Sequence, residues 1–250
     1  MLTMITLTVA ESKRLIAKGV RAIDYVDRAL EEGIVAVSKG TTNAYIAEEL
    51  LGRKIDKTRY VLGRTFPHDS RPFQVDGSLP DVVIREGDVI EDLAAVDAAS
   101  EMGPGDVFIK GANAINPALG QAGLLIGHPT GGTMGAALGI LTSRRVHLLV
   151  PAGLEKTVPV DLERVSQRIK KEPGRDPIHG LWAFTGHIFT EADALRELTG
   201  VEAIPVAAGG IGGAEGAIWL MLSGSAQQLD ETIAFLNDIW GEPAFGADAE

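Results

Sequence analysis

Cysteine is absent from the 250 residues of this sequence, so disulfides, thiolate nucleophiles and cysteine-ligated metal sites are all excluded. The sequence also lacks the HExxH pattern of zinc hydrolases, the CxxC pairs of zinc and redox sites, and the GxSxG elbow of serine hydrolases. Zinc hydrolysis and elbow-serine chemistry therefore have no support. We predict that the protein holds neither a metal ion nor a cofactor.

Positive charge is scarce as well. The 23 Lys and Arg residues are outnumbered by 34 Asp and Glu residues, which leaves a formal net charge of −11. This balance argues against nucleic acid or an anionic membrane as a partner, but it allows a locally basic pocket for a small anionic ligand. No apolar run approaches the roughly 18 residues of a membrane helix, and the first residues lack the pattern of a secretory signal. We therefore expect a cytoplasmic protein.

The composition otherwise suits a globular α/β protein, since 45% of the residues are hydrophobic and 30 are glycine. Short apolar runs at 34–37, 106–109 and 146–150 predict buried parallel strands, and helical patterns lie between them. The predicted fold is α/β, with a parallel-rich central sheet flanked by helices. The order helix, strand, strand, helix in the last third of the chain predicts a small α+β subdomain at the C-terminal end.

We divide the chain into an α/β core domain at 1–172, the α+β subdomain at 178–241 and a loose acidic tail at 242–250. A turn-rich linker at 172–177 separates the first two. The glycine-rich segment at 209–213 lacks the spacing of a dinucleotide-binding loop and favours a turn or a flexible lip. We expect a homo-oligomer, and a purely structural oligomeric scaffold is one alternative function.

Several local elements follow from short patterns. Thr8 and Glu11 have the spacing of a capping box, which predicts a helix over 9–22 with Lys13 and Arg14 mostly exposed.

Three further predictions concern residues 59–90. Residues 59–62 predict a strand, and 81–84 with 88–90 predict a hairpin at the edge of the sheet. The proline-broken loop 63–72 carries two arginines and a histidine, which either bind an anion or are solvated.

The stretch from Gly105 to Ala137 is central to the prediction of a site. It contains two short apolar runs, 106–109 and 124–126, each followed by a polar loop. Open parallel sheets bind ligands outside the carboxyl ends of their strands, so both loops are expected to line one small-molecule site. The first loop carries Lys110, which is a ligand clamp, a catalytic group or a salt-bridge partner of an acid. It also carries Asn113, which either binds the ligand or forms a turn.

The second loop is a candidate anion cradle. His128 is held by the following proline, and it is either a ligand-binding or a structural residue. The residues that precede the next helix are small and polar, and their N–H groups could bind an anion. The alternative is that they simply let helix and sheet pack closely. The predicted ligand-binding residues of this loop are His128, Thr130, Gly131, Gly132 and Thr133.

The loop after the strand at 34–37 is another candidate cradle. Lys39, Gly40, Thr41 and Thr42 stand directly before a helical pattern, and the N-terminus of a helix attracts anions. The alternative is that a threonine caps the helix and the lysine is solvated. The loop is not a Walker A motif, which is longer.

Candidate proton-transfer groups are acids near this sheet. Glu91 is either a general base or a helix cap, and Asp97 lies among alanines, where we expect it to be partly buried. The predicted catalytic residues are Asp97, Lys110 and Glu91. Glu155 and Lys156 extend from the end of the strand at 146–150 toward the same edge, and they are either site residues or exposed.

Residues 34–45, IVAVSKGTTNAY, resemble the first strand and phosphate loop of ribose-5-phosphate isomerase type A. That family shares a superfamily with glucosamine-6-phosphate deaminase and the coenzyme A transferases. Lys110 and Gly111, which follow the strand at 107–109, also resemble the family's strand followed by lysine and glycines. The resemblance implies anion binding at 39–42, a role for Lys110 and a small α+β lid late in the chain.

We therefore predict an enzyme that acts on a small anionic metabolite of the sugar-phosphate or acyl-carboxylate type. Asp97 or Glu91 would move a proton and Lys110 would stabilise a developing enolate oxygen, as in an isomerase or a transferase. The alternative is a non-catalytic protein that binds or senses a small molecule with the same anion-binding loops.

Overall fold

The computed structural model describes residues 1–63, 65–66, 68, 77–174 and 178–247. The predicted α/β class is confirmed: a six-stranded, mostly parallel central sheet is flanked by helices and accompanied by two three-stranded antiparallel sheets. Most of the loop 63–72, with both of its arginines, lies outside the described residues. No described helix combines the length and the apolar character needed to cross a membrane.

The elements are numbered in chain order. The strands are β1 (Leu2–Leu7), β2 (Ile34–Val37), β3 (Val82–Arg85), β4 (Asp88–Val89), β5 (Val107–Ile109), β6 (Ala114–Asn116), β7 (Gln121–Ile126), β8 (His147–Pro151), β9 (Gly180–Phe184), β10 (His187–Phe189), β11 (Glu202–Ala208) and β12 (Ile218–Ser223). The helices are α1 (Val9–Ala22), α2 (Asp24–Glu32), α3 (Thr41–Leu51), α4 (Ala95–Ala98), α5 (Gly132–Ser143), α6 (Leu162–Lys171), α7 (Glu191–Thr199) and α8 (Ala226–Leu236).

The central sheet has the strand order β10-β8-β5-β2-β3-β4. The first four strands are parallel, and β3 and β4 form the predicted antiparallel hairpin at one edge. Because the four parallel strands point the same way, their carboxyl ends open on one edge of the sheet, which we call the rim. The rim loops are 38–43, 110–113, 152–156 and 190–191.

A second sheet, with the order β1-β12-β11, joins the two ends of the chain. The strand β1 was not predicted, because Leu2 and Met4 on its exposed face are as apolar as Ile5 and Leu7 on its buried face. The expected alternation of apolar and polar residues is therefore missing. The boundary near residue 172 stays a prediction, and three strand pairs cross it: β1 with β12, β7 with β9, and β8 with β10.

The third sheet, with the order β6-β7-β9, corrects one prediction. The apolar run 124–126 was expected to join the parallel sheet, but it is part of β7, which is antiparallel to both of its neighbours. A 3-10 turn that ends at Gly120, in the left-handed conformation, reverses the chain after β6. The loop after β7 therefore does not follow a strand of the parallel sheet.

A second correction concerns residues 59–62, which form no strand. A 3-10 turn over Lys57–Arg59 precedes Tyr60, whose ring is buried. The Tyr60 hydroxyl donates to the carbonyl of Val37 over 2.6 Å and accepts from the N–H of Val82 over 2.9 Å. The side chain thus joins the end of β2 to the start of β3 beside the rim.

Helix α1 has its predicted bounds and capping box, but its polar residues are not exposed. Lys13 and Arg14 are each only 5% exposed, because α1 packs against α3 on one side and α7 on the other. Arg14 forms ion pairs with Glu48 at 2.6 Å, Glu49 at 2.8 Å and Glu242 at 2.9 Å. Helical periodicity identified the apolar stripe but not the neighbours that cover its polar flank.

The predicted loose tail is at least partly packed. The Glu242 carboxylate is held by Arg14, and the ring of Phe245 lies 6.4 Å from the ring of Tyr45. Residues 248–250 lie outside the described part of the chain. The end of the chain therefore covers the contact between α1 and α3.

The close approach of α1 and α7 depends on Gly19. A β-carbon at this position would lie 2.6 Å from the Ala194 β-carbon and 3.0 Å from the Phe189 ring. We expect Gly19→Ala to lower the free energy of unfolding by about 1–3 kcal/mol, the usual cost of overpacking. Gly139, on α5, is the matched control, because its β-carbon would meet no atom within 4 Å in the part of the chain that the structure describes. Gly139→Ala should raise stability by up to about 1 kcal/mol. Urea denaturation of both variants measures the difference, and equal effects would contradict the predicted contact.

Candidate functional site

The loop between β2 and α3 has the features expected of an anion cradle. Helix α3 begins at Thr41, and its N-cap, Gly40, supplies no side-chain cap. The first N–H groups of a helix have no acceptor within the helix. Thr42 is only 2% exposed, and its hydroxyl has no hydrogen-bond partner among the described residues. Lys39, Gly40 and Thr41 are half-buried beside it.

Asn43 ties this loop to the next strand of the rim. Its side-chain nitrogen donates to the carbonyl of Ser38 over 2.7 Å and to that of Ile109 over 3.3 Å. Its side-chain oxygen is buried and has no donor among the described residues. Asn43 was absent from the predicted site, although it belongs to the predicted loop.

Lys110 directly follows β5, as predicted, and its side chain is half-buried. Burial is the main cause that lowers the pKa of Lys110 to about 8; the charge of Lys156 lowers it further and that of Asp81 opposes the shift. Among the described residues Lys110 forms no ion pair with a carboxylate, so the suggested salt bridge to Asp97 or Glu91 is not formed.

Asp97 and Glu91 are the predicted proton-transfer acids, and the expectation that Asp97 is partly buried is wrong. Both side chains are exposed. Helix α4 has only four residues and turns Ala95 and Ala98 into the core, which leaves Asp97 on the solvent side. The burial argument that singled out Asp97 as a base therefore no longer applies.

Lys156 and Glu155 lie in a 3-10 turn after β8, and both are half-buried. Burial lowers the pKa of Lys156, and the charges of Glu155 and Glu191 oppose that shift. The Glu155 carboxylate lies against the α-carbon of Gly153, where a β-carbon would collide with it. One of its oxygens, Oε2, is buried without a hydrogen-bond partner among the described residues.

Two further charged groups, Lys13 on α1 and Glu191 on α7, lie close to Glu155 and Lys156. No sequence pattern connected these two helices with the rim. Lys13, on α1, points its ammonium to within 3.9 Å of Glu155 Oε1 and donates to the carbonyl of Val9 over 3.4 Å. Burial lowers the pKa of Lys13 to about 8, and the charge of Glu155 opposes the shift.

Glu191 is the first residue of α7 and follows β10. It is fully buried and accepts a hydrogen bond from the N–H of Leu154 over 2.9 Å. Burial and, less strongly, the charge of Glu155 raise the pKa of Glu191 to about 7. Sequence reasoning missed it because β10 has three residues and Glu191 resembles an ordinary acid at the start of a helix.

We call this group the rim cluster: it comprises Lys13, Lys110, Lys156, Glu155 and Glu191. Their charges interact with one another through a mostly buried region at the carboxyl ends of β5, β8 and β10. Several ionisable groups with displaced pKa values in one place are typical of a functional site. No set of three or more His, Asp or Glu side chains within the described ranges is arranged to hold a metal ion.

The second predicted cradle lies elsewhere. His128, Thr130 and Gly131 line a cavity of about 530 Å³ together with Trp182 and residues of α6. His128 Nδ1 accepts from the N–H of Thr130 over 3.2 Å, and both side chains are exposed. A β-carbon on Gly131 would lie 2.8 Å from the Trp182 ring, so close packing explains this glycine.

The remaining predicted ligand-binding residues also stay outside the rim cluster. Asn113 is exposed, and its side-chain oxygen accepts from the N–H of Leu125 over 3.0 Å, which supports the turn-forming alternative. Gly132 and Thr133 are half-buried in the first turn of α5. The structure thus brings Lys39, Gly40, Thr41, Thr42, Lys110 and the exposed Asn113 to the rim loops. The predicted residues at 128–133 follow β7, which does not belong to the parallel sheet.

Comparison with known proteins gave no significant match to a family model, a curated protein or a solved structure. The resemblance to ribose-5-phosphate isomerase type A stays a prediction.

The raised pKa of Glu191 predicts a pH-dependent gain in the variant Glu191→Gln. The folded state holds the Glu191 proton more tightly than the unfolded state, so this group favours folding below about pH 4.5 and loses that contribution as the pH rises through about 7. Glutamine does not titrate, so its stability relative to the wild type should rise by roughly 1–3 kcal/mol between pH 5 and pH 8. Urea denaturation at both pH values measures this, with Glu202→Gln, at an exposed position, as the control. The same difference at both pH values would contradict the burial of an ionisable Glu191.

Proposed function

We propose that this protein is an enzyme that acts on a small anionic metabolite by proton transfer, and that the rim cluster is its active site. The observation that supports this most directly is that lysines and glutamates lie together at the rim, where several of their hydrogen-bonding atoms have no partner among the residues that the structure describes. Lys110 and Lys156 form no ion pair within the described part of the chain. A metabolite of the sugar-phosphate or acyl-carboxylate type would supply the missing negative charge.

The neighbouring Arg14 makes the contrast clear. It follows Lys13 on α1, is equally buried, and has three carboxylates as partners. That is the arrangement of a structural ion-pair network, in which the cost of burial is offset by close partners. Lys13 has one carboxylate, at 3.9 Å, and its pKa is lowered. The rim cluster therefore resembles a binding site more than a structural network.

The cluster also contains groups suited to moving a proton. Glu191 has a pKa of about 7, so its protonated and ionised forms are both populated near neutral pH, as efficient proton transfer requires. Glu155 has a carboxylate oxygen that no described group engages. In this proposal Glu155 takes the role of base that the sequence suggested for Asp97 or Glu91. Lys110 stabilises the negative charge that develops on the substrate.

The N-terminus of α3 completes the site as an anion cradle. Its first N–H groups, which have no acceptor within the helix, lie beside β5, because Asn43 donates to the carbonyl of Ile109 at the end of that strand. In the proposed mode the phosphate or carboxylate lies against Thr41 and Thr42. The reacting carbon then faces Lys110 and Glu155, and the reaction class is that of an isomerase or a transferase.

The test is hydrogen exchange on candidate substrates. Pentose and hexose phosphates and short acyl carboxylates are incubated with the protein in D₂O, and loss of C–H signals next to the carbonyl is followed by NMR. We expect exchange with at least one compound, and we expect Lys110→Ala and Glu155→Gln each to lower kcat/KM by about 10²–10³-fold. Lys171→Ala, on an exposed face of α6, is the matched control and should stay within about twofold of the wild type.

Two outcomes would contradict the proposal. Exchange that survives both Lys110→Ala and Glu155→Gln would move the reaction away from the rim cluster. Ligands that stabilise the wild type in a Lys110-dependent way, with no exchange and no product, would instead assign the protein to the non-catalytic ligand-binding class.

A further inference from the structure

Two acceptor oxygens at the rim lack hydrogen-bond donors among the described residues, and they indicate what kind of anion the site takes. The first is Oδ1 of Asn43, a residue with no exposed surface. Its identity as oxygen is fixed by the other end of the amide, which contacts the carbonyls of Ser38 and Ile109. Carbonyls only accept hydrogen bonds, so the atom facing them is the nitrogen.

The second acceptor is Oε2 of Glu155. The other carboxylate oxygen of Glu155 faces Lys13 at 3.9 Å, whereas Oε2 lies buried over Gly153 and meets no donor in the described part of the chain. An ionised carboxylate offers acceptor sites only. Neither oxygen can therefore contact the charged oxygens of an anion directly, since acceptor would meet acceptor.

Gly111 leaves room beside Asn43. A β-carbon on Gly111 would have two atoms within 4 Å, Asn43 Oδ1 and the carbonyl oxygen of Pro151, each at 3.8 Å. Those distances are ordinary van der Waals contacts, so an atom of about methyl size fits there. This space is bordered by oxygens and lies one residue from Lys110, which supplies donors for an anionic group.

We propose that Asn43 and Glu155 select the ligand, and that the rim site takes a small anion that also carries hydroxyl or amino donors next to its charged group. The lysines and the α3 N-terminus bind the anionic oxygens, and the two acceptors bind the donors. An anion without donors leaves both acceptors unpaired, and sites built this way reject such analogues strongly. This inference rests on the proposed function, because it describes the ligand of the same site.

The test compares anions that differ only in their donors. Thermal unfolding and calorimetric titration are carried out with malate, aspartate and succinate, which carry a hydroxyl, an amino group or hydrogen on the same carbon. Glycerol 3-phosphate and propyl phosphate form a second set. We expect a donor-bearing member of at least one set to bind 10²-fold or more tightly than its unsubstituted analogue. Whether malate or aspartate binds more tightly distinguishes a hydroxyl from an amino donor.

Gly111→Ala tests the geometry without breaking the fold. The added methyl group lies against Asn43 Oδ1 and meets no atom closer than 3.8 Å, so the unfolding temperature should change little. It should abolish most of the preference for the donor-bearing anion. Gly103→Ala is the matched control: Gly103 lies before β5, at the opposite end of the strand, and its β-carbon would meet no atom of the described residues within 4 Å. It should leave the preference unchanged.

The outcomes separate this inference from the function on which it rests. If donor-bearing and unsubstituted anions bind equally well and Lys110→Ala weakens both, the selection by Asn43 and Glu155 is wrong, whereas the anion site stands. A preference that persists in Gly111→Ala would also overturn it. If none of the five compounds stabilises the wild type at 10 mM, or if Lys110→Ala binds them as the wild type does, both proposals fail.

Discussion

The insertion of α1 between α3 and α7 is the contact on which the rest of the structure depends. It places the consecutive residues Ser12, Lys13 and Arg14 in the interior, where each of them is at most 5% exposed. A helix covered on two sides cannot leave its polar flank in water, so these groups must find partners or carry the cost of burial. Arg14 finds them in α3 and in the C-terminal segment. The two ends of the chain are therefore joined to the central sheet by contacts that depend on the position of α1.

Lys13 shows the other consequence of the same contact. The contact places Lys13 at the carboxyl ends of the parallel strands, beside the two other lysines and the two glutamates of the rim cluster. A cluster in which burial lowers the pKa of lysines and raises that of a glutamate opposes folding at neutral pH. In natural proteins, groups with such displaced pKa values are found together mainly at binding and catalytic sites. The cost of burying these ionisable groups therefore makes the rim, rather than the exposed loops, the candidate site.

The sequence predicted features that depend on residues close together in the chain, and it did not predict features that depend on contacts between distant residues. Local patterns gave α1, β2, the β3–β4 hairpin and α6, because periodicity and caps act over a few residues. They also placed Lys39 and Lys110 at strand ends. They could not reveal that 124–126 belongs to an antiparallel sheet, since an apolar run does not encode the direction of its partner. The sequence also could not place Glu191 and Lys13 at the rim, because their neighbours come from distant parts of the chain.

The resemblance to ribose-5-phosphate isomerase type A concerns the loops after β2 and β5, whereas the acids of the rim cluster lie in the turn after β8 and at the start of α7. A likeness limited to the first two loops bears on where an anion would lie. It says little about the reaction, because proton transfer depends on which carboxylates face the bound molecule. In the proposed site those carboxylates are Glu155 and Glu191, which lie outside the similar stretches. The identity of the reaction must therefore be sought in the second half of the chain.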